Sequence, residues 1–209
     1  MKVREKNAYR LRIWEITLLL GTVLFLSSGV LALQTQEDLA DRVVRLHVLA
    51  NSDSEEDQAL KLLVRDVVLE RAESILEGTR NRSEAESLLR GQLLELERLA
   101  LRVVRESGYA YPVTVELTDT EFPTREYDGF SLPAGAYLAL RVLIGEAEGQ
   151  NWWCVVFPPL CTAAVADLPE AALSAGMKEE DVALITEESA GYVLKFKLVE
   201  LWQTIRRNL

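Results

Sequence analysis

The chain is poor in the residues that usually carry out chemistry. Its 209 residues include one histidine, His47, and two cysteines, Cys154 and Cys161. A tetrahedral zinc site needs four ligands, and two sulfurs with one distant imidazole fall short of it, so no metal and no other cofactor is expected. Neither H-E-x-x-H, G-x-G-x-x-G, a P-loop nor G-x-S-x-G occurs. Without a serine on a strained turn, His47 has only Cys154 or Cys161 as a nucleophile to serve, and a disulfide would consume both. Positive charge is also scarce: 23 Lys and Arg stand against 33 Asp and Glu, a net charge of −10. An acidic surface repels phosphate backbones, which argues against a nucleic-acid partner. There is no internal repeat and no low-complexity tract. The many carboxylates lie on polar helix faces, where a solvated surface explains them better than a glycosidase pair does.

What is present begins with the N-terminus. Lys2, Arg4, Lys6, Arg10 and Arg12 precede an apolar run from Ile16 to Leu26, and Val30-Leu31-Ala32 then offers a small-x-small sequence. Residues 1–32 read as a secretory signal cut near Ala32. The alternative is a retained anchor, because Ile13 to Leu33 is long enough to span a bilayer. Both readings place residues 40–209, a single extracytoplasmic signalling domain, on the outer face, since the positive flank stays inside. Membrane contact is expected only through the N-terminal segment. That segment holds five basic and two acidic residues, so the remainder is more acidic still.

In an exported chain two cysteines read first as a disulfide. Cys154 and Cys161 would close a short loop around Pro158-Pro159, whose fixed φ angles favour a turn. Two buried, unpaired thiols are the alternative.

The pattern of residues 41–50 predicts a strand. Asn51-Ser52-Asp53-Ser54 supplies turn and cap chemistry for a helix that runs to about Glu77, with Asp57–Lys61 as an ion pair on its outer face. Gly78 ends it. A second helix is expected from Ser83, with Glu86 as capping-box partner, to Gly108, and the two should form an antiparallel hairpin. Strands follow at Pro112–Leu117, irregularly at Phe122–Phe130, then at Ala136–Ile144 and Trp152–Phe157. Residues 167–181 read as loop or frayed helix, and 189–206 as a broad amphipathic helix. The expected fold class is α+β: one mostly antiparallel sheet with an N-terminal strand, a helical hairpin and a C-terminal helix packed on it.

Several blocks resemble one known family. Arg45-Leu46-His47-Val48-Leu49-Ala50-Asn51-Ser52-Asp53-Ser54, Asp57-Gln58-Ala59-Leu60-Lys61 and Val64-Arg65-Asp66 are similar to the opening of stage II sporulation protein R. Leu132-Pro133-Ala134-Gly135, Asn151-Trp152-Trp153-Cys154, Phe157-Pro158-Pro159-Leu160-Cys161 and Lys195-Phe196-Lys197-Leu198-Val199-Glu200-Leu201-Trp202 continue the likeness. The resemblance implies a signal made in the forespore and secreted across its membrane into the intermembrane space. There it would activate a membrane-embedded aspartic protease that processes pro-sigma-E. It supplies no catalytic residues.

The chain is therefore expected to be a non-enzymatic activator working by contact. Candidate contact residues are His47, Asn51, Asp53, Gln58 and Arg65 near the first strand–helix turn. Trp153, Pro158 and Pro159 form a second candidate patch, since outward tryptophans are enriched at binding hot spots. The rival reading is an exported cell-wall or peptide hydrolase.

Overall fold

The structure, a computed structural model, describes residues 14–23, 36–161 and 167–186. The expected C-terminal helix over 189–206 lies outside the described residues, as does most of the N-terminal segment. Residues 14–23 are helical and carry exposed Trp14, Leu18 and Leu19. Among the described residues no helix is long and apolar enough to cross a membrane.

Strand β1 (Val44–Leu49) leads into helix α1 (Glu55–Leu76), which packs against helix α2 (Arg82–Glu106). Strands β2 (Val113–Phe122), β3 (Arg125–Tyr127), β4 (Phe130–Leu132), β5 (Gly135–Ile144) and β6 (Asn151–Phe157) come next. Helices α3 (Leu168–Ser174) and α4 (Glu179–Thr186) follow. These two correct the expectation of a loop or frayed helix over 167–181. Pro169 sits in the first turn of α3, where its missing N–H costs nothing, and Gly176 takes a left-handed φ of 84° between the helices.

The fold class is α+β, but the main sheet is mixed. Its strand order is β2-β5-β1-β6, with β1 parallel to β5 and antiparallel to β6, and β2 antiparallel to β5. The parallel pairing comes from the helical hairpin. After β1 the chain crosses one face through α1 and α2 and re-enters at the far edge, so β5 meets β1 without a turn to set direction. The irregular strand expected over Phe122–Phe130 is also resolved differently. Phe122 ends the long β2, while β3 and β4 form a separate two-stranded ribbon.

Burial follows position in the sheet. Central β1 and β5 are buried almost throughout and read as near-continuous apolar runs. β2 begins with alternation, Val113, Val115 and Leu117 inward between more exposed neighbours. One face packs on the hairpin, where Leu60, Val64, Val68, Ala72 and Leu76 of α1 recur at helical spacing beside Leu89, Leu96 and Ala100 of α2. The opposite face collects a second apolar cluster around Leu39, Val43, Phe122, Leu132, Tyr137, Leu168 and Ile185.

Two local expectations change. Asn81, not Ser83, caps α2, its side chain accepting from Glu84 N–H at 2.9 Å. Glu84 reaches back across the same turn, its Oε2 accepting from the Arg80 N–H at 3.2 Å, so the side-chain exchange that marks a helix start forms here. Asp57 and Lys61 do not form an exposed ion pair. Both are buried at 4% and 5% exposure, with other partners.

Cys154 and Cys161 form a disulfide, their Cα atoms 6.0 Å apart, and the Val155 N–H donates to Cys161 Sγ at 3.0 Å. Closing so short a loop stabilises by about 2–3 kcal/mol in the chain-entropy account. Replacing both cysteines with serine should lower the free energy of unfolding by about that amount in a denaturant titration. Thiol labelling of the unreduced protein should modify neither cysteine.

Candidate functional site

At the end of the sheet where β1 stops and β6 starts, two loops are tied together, and a buried carboxylate holds the first of them in place. Asp57 lies in the first turn of α1, whose N-cap Ser54 accepts its N–H at 3.2 Å. Its Oδ2 accepts from Asn51 Nδ2 at 2.8 Å and from the Ser52 hydroxyl at 2.6 Å, and Tyr111 also hydrogen-bonds to it. Burial pushes its pKa up, but the bonds from Ser52, Asn51 and Tyr111 outweigh that and hold it below the ordinary value.

The loop before β6 is fastened to that first loop. Asn51 Oδ1 accepts from Glu146 N–H at 3.0 Å, and Asp53 Oδ1 accepts from Gln150 N–H at 2.7 Å. Gln58 Nε2 donates to the Ser52 carbonyl at 2.8 Å, and Lys61 Nζ donates to the Gln150 carbonyl at 2.9 Å and to Gln58. Burial lowers the Lys61 pKa; Asp53 opposes the shift and Arg65 adds to it. A Cβ at Gly149 would stand 2.2 Å from the Ser52 carbonyl oxygen, so only glycine lets the loops approach this closely.

Behind this network, β1 places Arg45 and His47 on the face opposite the hairpin. Arg45 is fully buried, its guanidinium 3.9 Å from the Phe122 ring centroid and 4.9 Å from that of Tyr137. Nη2 donates to the Tyr127 hydroxyl at 2.6 Å, while Nε and Nη1 have no hydrogen-bond partner among the described residues. Burial lowers its pKa, partly offset by Tyr127. His47 Nε2 meets Asn151 Oδ1 at 2.6 Å, and Nδ1 is buried without a partner among the described residues. Burial also lowers the His47 pKa, the Asn151 bond opposing and Arg141 and Arg45 reinforcing the shift. The imidazole is thus neutral at neutral pH. It packs against Phe122 and Trp153 at ring-centroid distances of 5.7 and 5.8 Å.

The two adjacent tryptophans point to opposite faces, as strand geometry requires. Trp152 joins the hairpin-side core and lies under the Arg65 guanidinium at 4.6 Å. Trp153 joins the other cluster and lies under Arg125 at 3.8 Å. Both indoles are half-buried.

The structure therefore regroups the candidate contact residues. Asn51, Asp53 and Gln58 use polar atoms to join the loops. His47 and Trp153 stand side by side near that end. Pro158, which is buried, and Pro159, which is exposed, lie at the other end of β6. There Pro159 helps line a cavity of about 660 Å³ with Glu73, Glu77, Thr79 and Arg80. Arg125, Arg45 and Phe122 complete the surroundings of Trp153 and His47, and the sequence reading missed them. An arginine alternating with a histidine in an otherwise apolar strand was the available signal for Arg45. Nothing local marked Arg125. Among the described residues, no group of three or more His, Cys, Asp or Glu side chains could hold a metal. His47, hydrogen-bonded to an amide and packed between aromatic rings, is arranged for packing rather than proton transfer.

Asp57→Asn should cost about 1–3 kcal/mol, because the donors from Asn51, Ser52 and Tyr111 lose an ionised acceptor and keep at most one neutral carbonyl oxygen. The depressed carboxyl pKa contributes stability that is present above the ordinary value of 3.8 and lost as pH falls through the folded-state value. The wild type should therefore lose more stability on acidification below that pH than Asp57→Asn, measured by urea titrations at stepped pH. Arg45→Met removes a buried charge that has no carboxylate partner among the described residues. It should leave the unfolding midpoint unchanged or raise stability by about 1–3 kcal/mol. A large drop in midpoint would show that the guanidinium is well compensated.

Residues 40–167 match the family described as Stage II sporulation protein R (spore_II_R). The chain is 37% identical over 123 residues to the Stage II sporulation protein R of Bacillus subtilis (strain 168), covering 59% of this chain and 55% of the relative. It thus spans little more than half the length of that relative. No solved structure matches it. The match takes in β1, the helical hairpin, every other strand and the disulfide loop, and it places the chain among sporulation proteins rather than in a family of enzymes. The chain belongs to the stage II sporulation protein R family.

Proposed function

We propose that this protein is the secreted forespore signal that activates a membrane-embedded aspartic protease, which then processes pro-sigma-E during endospore formation. Family membership across the sheet and hairpin is the observation that carries the reading. The site chemistry is consistent with it: the polar groups near the β1–α1 turn are engaged in holding loops, and the aromatic and cationic groups around them suit contact more than turnover. Residues 1–32 would direct the chain across the forespore membrane into the intermembrane space. The domain would act there, with or without a retained N-terminal anchor. An activator of this kind need only bind the active state of its receptor more tightly than the inactive one. A shift from about 1:99 to 99:1 requires roughly 5.5 kcal/mol of differential affinity.

Co-expression of this chain, the receptor protease and pro-sigma-E in a host that lacks all three should yield the cleaved factor. Omitting the chain, or deleting its first 32 residues, should abolish cleavage. Uncleaved factor with all three proteins made and the chain exported would overturn the proposal.

A further inference from the structure

The main sheet has two edge strands, and the molecule treats them differently. An unpaired edge is a template for another strand, and proteins usually blunt it. The β2 edge is blunted by α2: Glu97 accepts from Val115 N–H at 3.2 Å, and Arg90 donates to the Leu117 carbonyl at 3.3 Å. Among the described residues the β6 edge is closed only at its far half. There Val155 N–H points away from β1 and donates to Cys161 Sγ in the disulfide loop.

That bond fixes the parity of the strand. In an antiparallel pair each residue directs both its N–H and its C=O either to the partner strand or away from it, in alternation. Val155 pairs opposite Arg45, Trp153 opposite His47 and Asn151 opposite Leu49. Since Val155 N–H faces outward, the backbone groups of Trp153 and Asn151 do so too. Among the described residues nothing is seen to bond them. The open stretch is therefore short and lies beside both tryptophans.

We infer that the Asn151–Trp153 edge of β6 receives an extended acidic segment of a partner protein as an added strand. The inference deepens the reading of the protein as a contact-dependent signal, and rests on it. Strand addition supplies backbone hydrogen bonds for affinity and side-chain neighbours for selectivity. A residue opposite Trp153 falls on the Arg125 face, and the residue opposite Trp152 falls on the Arg65 face. Two consecutive carboxylates would therefore meet one arginine each. A guanidinium stacked on an indole keeps its N–H edge free for a carboxylate. Arg125 is exposed and has no carboxylate partner among the described residues, whereas Arg65 also bonds the exposed neighbour Asp66. A second copy of this chain is the less favoured occupant, because antiparallel β6–β6 pairing brings Arg125 of each copy towards the other.

The test uses the full oxidised chain and two synthetic β-hairpin peptides that differ only in the outer strand, Thr-Val-Glu-Glu-Val-Thr or Thr-Val-Lys-Lys-Val-Thr. Amide exchange at Asn151 and Trp153 is read by NMR with each peptide at equal concentration. The Glu-Glu hairpin should slow both amides about tenfold more than the Lys-Lys hairpin, equivalent to about 1.4 kcal/mol. The double variant Arg65→Glu, Arg125→Glu should reverse that preference, an outcome that loss of folding cannot produce. Equal protection by the two peptides, no protection at these amides at the highest soluble peptide concentration, or protection that rises with protein concentration alone would each overturn the inference. Edge protection without cleavage in the co-expression assay would sink the receptor reading and leave the edge assignment standing. Cleavage that persists without edge protection would do the reverse.

Discussion

The carboxylate of Asp57 holds the β1–α1 loop through Asn51 and Ser52, and that loop in turn holds the 145–150 loop. The carboxylate is buried, yet it stays ionised because hydroxyl and amide donors converge on it. Through Asn51 it sets the 145–150 loop, and through Ser52 and Gln58 it sets the entry into α1. Those loops fix where β6 begins, and so where Trp152 and Trp153 stand. A buried polar network of this kind specifies a unique arrangement only while its members are satisfied. That explains why small polar residues cluster here without any catalytic geometry.

The two faces of the sheet solve different problems. Against the hairpin, aliphatic side chains at helical and strand periods interlock, a straightforward burial of apolar surface. On the other face an arginine and a histidine sit among aromatic rings, with polar atoms left unpaired. Such groups cost stability unless a compensating partner is met. The sheet face carrying Arg45 and His47 also carries Trp153, over which Arg125 stacks.

Much of this was legible in the chain, and the reasons are local. The helical stripe of Leu60, Val64 and Val68, the cap at Ser54 and the stop at Gly78 depend on neighbours within a turn or two. The alternation from Val113 to Leu117 and the opposite facing of the paired tryptophans are equally local. The placement of α3 and α4 was less visible, because short helices draw their stability from the cluster they complete, here through Leu168, Ala172 and Ile185. Of the candidate residues, Asn51 and Asp53 proved to bond the 145–150 loop, far along the chain, and Gln58 the nearby Ser52, while His47 stands beside Trp153 and Arg65 lies over Trp152 on the opposite face.

Residue order alone determined the helical hairpin, the strand segments, the acidic balance, the pairing of two scarce cysteines and the family likeness, since each rests on periodicity, composition or contiguous motifs. Tertiary structure alone decided that β1 runs parallel to β5, that Asp57 and Lys61 are buried with other partners, that Arg125 covers Trp153, and that among the described residues one sheet edge is capped while the other is partly open. Each of these joins segments tens of residues apart. Such contacts follow from strand register and layer packing, which no local spacing encodes.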